Sequence, residues 1–273
     1  MSSDSSTFIE TESLETKRPC AQESESKCFF EVKDLKKAIG GQKILRGVDL
    51  NIRRGETMVV IGRSGEGKSV FLKHLIGLMS PDAGSIKVEG QELVGLRERQ
   101  MRDIRRKVGI LFQDGALFDS MTVAENVAFP LMEMGIKNRE ELLERVGQAL
   151  DKVELAEHMA KMPINISGGM RKRVSLARAI IGEPQCILYD EPTSGLDPVV
   201  SESIDRLILR MQKNLCVTSL VVTHDMNSVF RIADRVAYLR EGKIHFLGTP
   251  EELRDSQDRY VRSFVEGRQV EEE

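Results

Sequence analysis

Apolar residues recur along the chain with two different periods, and the changes of period mark its elements. FFEVKDL (29–35) and ILRGVDLNI (44–52) alternate apolar and polar positions, the two-residue period of a strand with one buried face. Gly40 and Gly41 lie between them and predict a hairpin. TMVVIG (57–62) is uniformly apolar and β-branched at most positions, as expected for a strand covered on both faces. A glycine-rich loop and the helical run KSVFLKHLIGLM (68–79) follow, and Pro81, Asp82 and Gly84 close that unit in a turn. SIKVEG (85–90) reads as strand, RERQMRDIRRK (97–107) as a charged helix with a solvated face, and VGILFQ (108–113) as strand again.

From about 114 to 182 the pattern is almost wholly helical, an insertion into a strand-and-helix framework. The framework resumes with the strand CILYDE (186–191), the helix SESIDRLILRMQKN (201–214) and the strand SLVVTH (219–224). RVAYLREGKIHFLG (235–248) predicts a hairpin turning at Glu241–Gly242, ahead of a short helix from Pro250.

Composition narrows the partners. The 273 residues are 40 % hydrophobic and 30 % charged, ordinary for a globular protein, and a net charge of −3 argues against a nucleic-acid binder held by bulk electrostatics. No run approaches the roughly 18 apolar residues that span a bilayer. Residues 1–27 are rich in serine and glutamate, unlike a signal peptide, and are expected to be a disordered tail. Cys20, Cys28, Cys186 and Cys216 are scattered without metal-ligand spacing, which suggests reduced thiols.

Chemistry is carried first by GRSGEGKS (62–69), which matches GxxxxGK[ST] between a buried strand and a helix. Its glycines allow successive backbone N–H groups to wrap nucleotide phosphates, and the helix N-terminus adds its positive dipole end. The expected cradle comprises Gly62, Arg63, Ser64, Gly65, Glu66, Gly67, Lys68, Ser69 and Val70, with Lys68 on the β- and γ-phosphates and Ser69 on Mg²⁺. Asp190 ends an apolar strand and is a candidate Mg²⁺ carboxylate. Glu191, one residue later, is the candidate to polarise the attacking water. Gln113 and His224 end two further strands, where Gln113 can reach metal and water and His224 the γ-phosphate.

Taken in order, the P-loop, Gln113, the helix opening ISGGMRKR (166–173), Asp190–Glu191, SGLD (194–197) and His224 resemble the ATP-binding-cassette (ABC) family of ATPases. The resemblance runs from about Phe29 to Gly248. It implies an α/β P-loop NTPase fold of ABC type: a RecA-like core, an antiparallel β subdomain and an inserted α-helical subdomain. The implied ABC ATPase domain spans 28–250, its helical subdomain about 114–182, with 251–273 a C-terminal helix and tail. It also implies that Ser167, Gly168 and Gly169 form the signature loop and that Ser194 to Asp197 form the D-loop. Two ATP molecules with Mg²⁺ would then lie between two copies of the chain, each between one P-loop and the opposite signature. Two positions depart from the family: Met170 replaces the usual glutamine, and Ile39 stands where an aromatic residue usually stacks on adenine.

LFQDGALFDSMTVAENVAFPL (111–131), SGGMRKR and the closing DRYVRSFVEG (258–267) are similar to the ATPases of Mla-type phospholipid transport systems with MCE-domain partners. That similarity implies an ATPase on the cytoplasmic face of the inner membrane. It would power phospholipid transport through a separate integral membrane permease, with an MCE-domain lipid-binding protein as a further partner and no nucleic acid. Leu117, Phe118, Met121, Val123, Phe129 and Leu131 are the apolar positions expected to line a permease-docking groove. The alternative is a transporter ATPase for another substrate, such as a polar amino acid, which would show a glutamine signature and usually an aromatic at 39. Soluble ABC proteins acting on nucleic acid usually carry two cassettes or a long coiled coil, and a P-loop kinase leaves Ser167–Gly169 without a role.

Overall fold

The computed structural model describes residues 28–268, so the expectation of a disordered tail at 1–27 and the last part of the 251–273 expectation lie outside the described residues. The alternating segments at the front form one antiparallel sheet. Strand β1 (Cys28–Ile39) pairs with β2 (Gln42–Arg53) through the Gly40–Gly41 turn, and β1 also pairs with β4 (Ala83–Val88), which carries the short β5 (Gln91–Glu92). The apolar runs and the closing hairpin form a second sheet in the order β10-β9-β3-β8-β7-β6. In it β3 (Thr57–Ile61), β6 (Val108–Leu111), β7 (Cys186–Asp190), β8 (Thr218–Val222) and β9 (Arg235–Arg240) are parallel, and β10 (Lys243–Gly248) closes the edge as the antiparallel arm of a hairpin.

The period of two assigns each side chain of the parallel sheet to a layer. Met58, Val60, Leu188, Leu220, Val222 and Leu239 face a core shared with the antiparallel sheet, with α1 (Lys68–Leu75) and with α2 (Glu98–Arg106). Val59, Ile61, Ile187, Tyr189, Val221 and Tyr238 face the other core. Helices α3 (Val123–Glu133), α4 (Arg139–Lys152), α5 (Gly168–Ile180), α6 (Pro198–Leu215), α7 (Met226–Ile232), α8 (Pro250–Arg254) and α9 (Arg259–Val265) cover that second side.

Three expectations from pattern are corrected and one is borne out with an addition. Helix α1 stops at Leu75, because Gly77 adopts φ 63 and receives the turn that ends it. Helix α2 has the expected solvated face, and Met101 and Ile104, three apart on the other face, are buried. Residues 114–122 form turns rather than helix. Asn126, fully buried, organises them: its Oδ1 accepts from Phe118 N at 2.8 Å, and its Nδ2 donates to the carbonyls of Phe118, Met121 and Thr122 at 3.0–3.1 Å. Thr122 then caps α3 through a reciprocal box with Glu125. Finally, Cys28 and Cys186 are free thiols but Cys216 is disulfide-bonded, where reduced thiols were expected.

Candidate active site

Strands β3, β8, β7 and β6 are neighbours in the sheet, so the segments leaving their carboxyl ends emerge side by side. They border a cleft of about 930 Å³ lined by Gly62, Arg63, Ser64, Gly65, Gly67, Lys68, Ser69 and Val70 of the P-loop and α1. Gln113, Glu191, His224 and Ile39 line the same cleft. Gly67 adopts φ 97, and a Cβ there would stand 2.8 Å from Ile44 Cγ2, so both backbone conformation and space require glycine. It is also the N-cap of α1 and makes no side-chain cap, which leaves the amides of the first turn available to an anion. Lys68 is buried, and its Nζ donates to Gly62 O at 2.8 Å and Arg63 O at 3.1 Å while lying 3.9 Å from Glu191 Oε1. Burial lowers the Lys68 pKa, and the carboxylates of Glu191, Asp190 and Glu66 oppose the shift.

Ser69 Oγ donates to Asp190 Oδ1 at 3.0 Å, joining the P-loop helix to the end of β7. Burial raises the Asp190 pKa, and the Ser69 hydrogen bond works against it. Glu191 turns out of β7 in the left-handed region, φ 48, with its N–H donating to Val222 O at 2.9 Å. Its carboxylate is nearly buried and meets His224 Nδ1 at 2.9–3.0 Å, with Thr223 Oγ1 at 3.5 Å. Gln113 and His224 each lie two residues past a strand end rather than closing it. The ladders stop at Leu111↔Tyr189 and Asp190↔Val222, and the chain then turns toward the cleft.

The cleft does not contain every residue picked out by pattern. Ser167, Gly168, Gly169 and Asp197 are absent from its lining, as are Glu66 and Asp190. Glu66 instead accepts a hydrogen bond from Glu241 N at 2.6 Å, tying the P-loop to the β9–β10 turn. Ser167 is exposed at the N-cap of α5, where its hydroxyl accepts from Met170 N at 3.2 Å. Gly169 is buried against α6, and a Cβ on it would stand 2.5 Å from Val200 Cγ1. Asp197 caps α6, accepting from Val199 N and Val200 N at 3.0 Å.

Conversely, Gln42 and Ile44 of β2, Ser263 and Phe264 of α9, and Gly267 and Arg268 just after it line the cleft without having been assigned to the nucleotide site from sequence. Phe264 packs on Tyr238 with ring centroids 4.9 Å apart. The Asp258 cap and the apolar spacing of Val261, Phe264 and Val265 forecast a docked helix, but not the surface on which it docks.

A second groove, about 710 Å³, lies among α2, β6, α3 and α5. Phe118 and Phe129 line it with rings 4.9 Å apart, alongside Arg102, Arg105, Arg106 and Arg178. Of the other apolar positions expected there, Val123 and Leu131 are fully buried in the core, and Leu117 packs against it. Residues 123, 127 and 131 repeat every four positions and share the face of α3 that the core takes. Met121 is half-buried and does not line the groove.

The family described as ABC transporter matches residues 45–194, a span from Leu45 in β2 through Ser194. The chain belongs to the ABC transporter family. As an ABC protein it is an ATP-binding, ATP-hydrolysing subunit, and the ABC-type P-loop fold expected from sequence is the one observed. It is 43 % identical over 241 residues to the "Probable ribonucleotide transport ATP-binding protein mkl" of Mycobacterium leprae, covering 88 % of this chain and 70 % of that one. It is 41 % identical over 216 residues to the methionine import ATP-binding protein MetN of Brucella abortus, spanning 79 % of this chain and 58 % of MetN. Among solved structures, the ATP-binding cassette MJ0796, a dimer bound to ADP and Pi in a post-hydrolysis state, aligns with TM-score 0.75 and 32 % identity, covering 81 % of this chain and 98 % of that one. The cbiO1 protein of Clostridium perfringens, part of the ABC transporter complex cbiONQ, aligns with TM-score 0.78 and 29 % identity, covering 87 % and 95 %. Among the described residues no helix is long and apolar enough to cross a membrane.

Proposed function

We propose that this ABC protein is the ATPase of a phospholipid transporter of the Mla type, working as a homodimer on the cytoplasmic face of the inner membrane beneath a separate permease and an MCE-domain partner. The observation that carries the ATPase mechanism is the convergence of Lys68, Ser69, Gln113, Asp190, Glu191 and His224 at one end of the parallel sheet. The donors fit Mg²⁺: Ser69 hydroxyl, Asp190 carboxylate and Gln113 amide are hard oxygens. Among the described residues no group of three His, Cys, Asp or Glu forms a self-sufficient cage, so phosphate and water would complete the shell. The ion would supply neutralisation of charge on the β- and γ-phosphate oxygens.

In this reading the first-turn amides of α1 and Lys68 hold the phosphates, and Lys68 exchanges the Gly62 and Arg63 carbonyls for phosphate oxygens. Glu191 accepts the proton of the attacking water, while His224 orients the Glu191 carboxylate and faces the γ-phosphate. Ser167, Gly168 and Gly169 hold the γ-phosphate bound to a second copy, and Ile39, with Asp197 near the dimer seam, completes the nucleotide contacts. The dimeric state of MJ0796 supports the arrangement. The ATPase domain is assigned to 28–250 and its helical part to about 114–182, where the groove beside Phe118 and Phe129 is assigned to a permease helix. Of its arginines, Arg105 pairs with Glu98, Arg106 with Asp103 and Arg178 holds the Gly115 and Ala116 carbonyls, which leaves Arg102 to suit an acidic residue on that helix.

The phospholipid assignment rests on the LFQDGALFDSMTVAENVAFPL, SGGMRKR and DRYVRSFVEG segments. The names of the mkl and MetN relatives favour a second reading, a permease for a ribonucleotide or an amino acid. Co-purification with the native permease decides between them: a lipid permease with an MCE-domain protein supports the first reading, and a methionine or nucleotide permease overturns it. Glu191→Gln tests the catalytic assignment. It is expected to lower kcat by about a hundredfold or more while retaining ATP and accumulating dimers, as removal of a general base does. Near-normal turnover with the permease would remove Glu191 from that role.

A further inference from the structure

Lys172 has no part in the chemistry above, yet it is buried to 5 % exposure on α5. Its ammonium donates to two backbone carbonyls from distant parts of the chain, Gln113 O and, at 3.2 Å, Glu191 O. A buried ammonium persists where its N–H donors are used and its charge is balanced; here it donates to these two carbonyls while the carboxylates of Asp114, Asp190 and Glu191 favour its charge.

Both acceptors lie in turns that need holding. Glu191 has φ 48 and no glycine's freedom, a backbone state that surrounding contacts must over-determine. Three contacts do so: Glu191 N to Val222 O, Ser194 N to Glu191 O at 3.2 Å, and Lys172 Nζ to that same carbonyl. This left-handed turn is what carries the Glu191 carboxylate to His224 and toward Lys68. The Gln113 turn contains two more left-handed residues, Gly115 and Ala116, at φ 76 and 47. Along α5, a stripe of donors spaced three apart grips it. Lys172 reaches Gln113 O, Ser175 Oγ reaches Gly115 O at 2.7 Å, and Arg178 reaches the Gly115 and Ala116 carbonyls at 2.7 Å. Of that stripe, Lys172 is the member that also touches Glu191.

We propose that Lys172 is a positioning residue for hydrolysis, whose ammonium bridges the Gln113 and Glu191 carbonyls and so fixes the aim of the Glu191 carboxylate to the seating of α5. The helix that presents Ser167 at its head is thereby joined to the candidate base within the same chain, and the link rests on the assignment of Glu191 as that base. Lys172 itself does not line the cleft, so its removal leaves the cleft walls in place and binding and chemistry separate in the test.

Lys172→Met, nearly isosteric, is compared in the full chain with Lys172→Gln, which keeps a donor in a smaller side chain, and with Ser175→Ala. Turnover, KM, equilibrium binding of a fluorescent ATP analogue, and amide hydrogen exchange without nucleotide are measured. For Lys172→Met, kcat falls at least about tenfold, as a misplaced catalytic group requires, while KM and the analogue Kd stay within about twofold. Exchange at the Glu191 and Ser194 amides accelerates, and Lys172→Gln lies between it and the native protein. Ser175→Ala removes one hold on Gly115, two residues beyond Gln113, and keeps kcat within about twofold, since the Lys172 bridge and the Arg178 contacts remain. The proposal is overturned if Lys172→Met keeps its kcat, if binding weakens as much as turnover, or if Ser175→Ala loses as much as Lys172→Met. It also fails if both Lys172 variants cannot fold, because the residue is then structural only. Failure of the bridge leaves Glu191→Gln inactive, whereas failure of the base assignment leaves Glu191→Gln active.

Discussion

The cleft at the carboxyl ends of the parallel strands and the head of α5 are both assigned to phosphate in the proposed function, and they differ in how much one chain supplies to each. In the cleft, Lys68 is buried on the Gly62 and Arg63 carbonyls, Ser69 is bonded to Asp190, and Glu191 to His224. At the head of α5, Ser167 is exposed and its hydroxyl is engaged by its own helix at Met170 N. Two adjacent glycines there also differ in purpose. A Cβ on Gly168 would meet Leu196 Cδ2 at an ordinary 3.5 Å, whereas one on Gly169 would overlap Val200. Packing within the chain demands Gly169 and leaves Gly168 unexplained, which accords with the proposed contact of Gly168 with a second copy.

The largest expected effect tests whether these two regions belong to one composite site. Lys68→Ala and Gly168→Asp are each expected to lower ATPase activity by about a hundredfold or more, the first by removing charge from the phosphates and the second by placing a carboxylate where an anion should sit. A mixture of the two inactive variants should regain measurable activity, because their mixed dimer contains one intact P-loop facing one intact α5 head. If the mixture stays inactive, α5 acts on its own chain's cleft or not at all. The next effect separates the glycines. Gly169→Ala forces Val200 aside and should cost about 1–3 kcal/mol by overpacking. In a thermal melt that is a fall of roughly 2–4 °C per kcal/mol. Gly168→Asp should melt near the native temperature, and equal losses would erase the distinction. The smallest effect concerns the rim of the cleft: Phe264→Ala is expected to raise the KM for ATP about threefold with kcat unchanged, the pattern of lost uniform binding. An unchanged KM would place Phe264 in the α9 core contact with Tyr238 alone.

Much of this is legible in the sequence, because strand periods and P-loop spacing are local. The alternation in 29–52, the strand runs at 57–62 and 219–224 and the GRSGEGKS turn each report their own surroundings. What escaped was information held between distant segments. Residues 114–122 read as helix because their apolar content suits one, and only the buried Asn126, reaching back from α3, makes them a turn. Lys172 is one of three cations in ISGGMRKR, and nothing near it in sequence shows that its ammonium ends between two carbonyls. Val123 and Leu131 were assigned to a docking groove by hydrophobicity, which does not distinguish the inside of a helix from the outside. Phe264 and Arg268 reach the cleft through the packing of α9, which no motif encodes.

Asn126 has one more consequence. By accepting from Phe118 N and donating to Phe118 O, it sets the backbone that carries one of the two rings of the arginine-lined groove, while α3, its own helix, carries Phe129. The groove is therefore shaped before any partner arrives, and docking need not meet the entropy of ordering it. Association there would be governed by desolvation and charge steering at the surface, with little induced folding on this side of the interface.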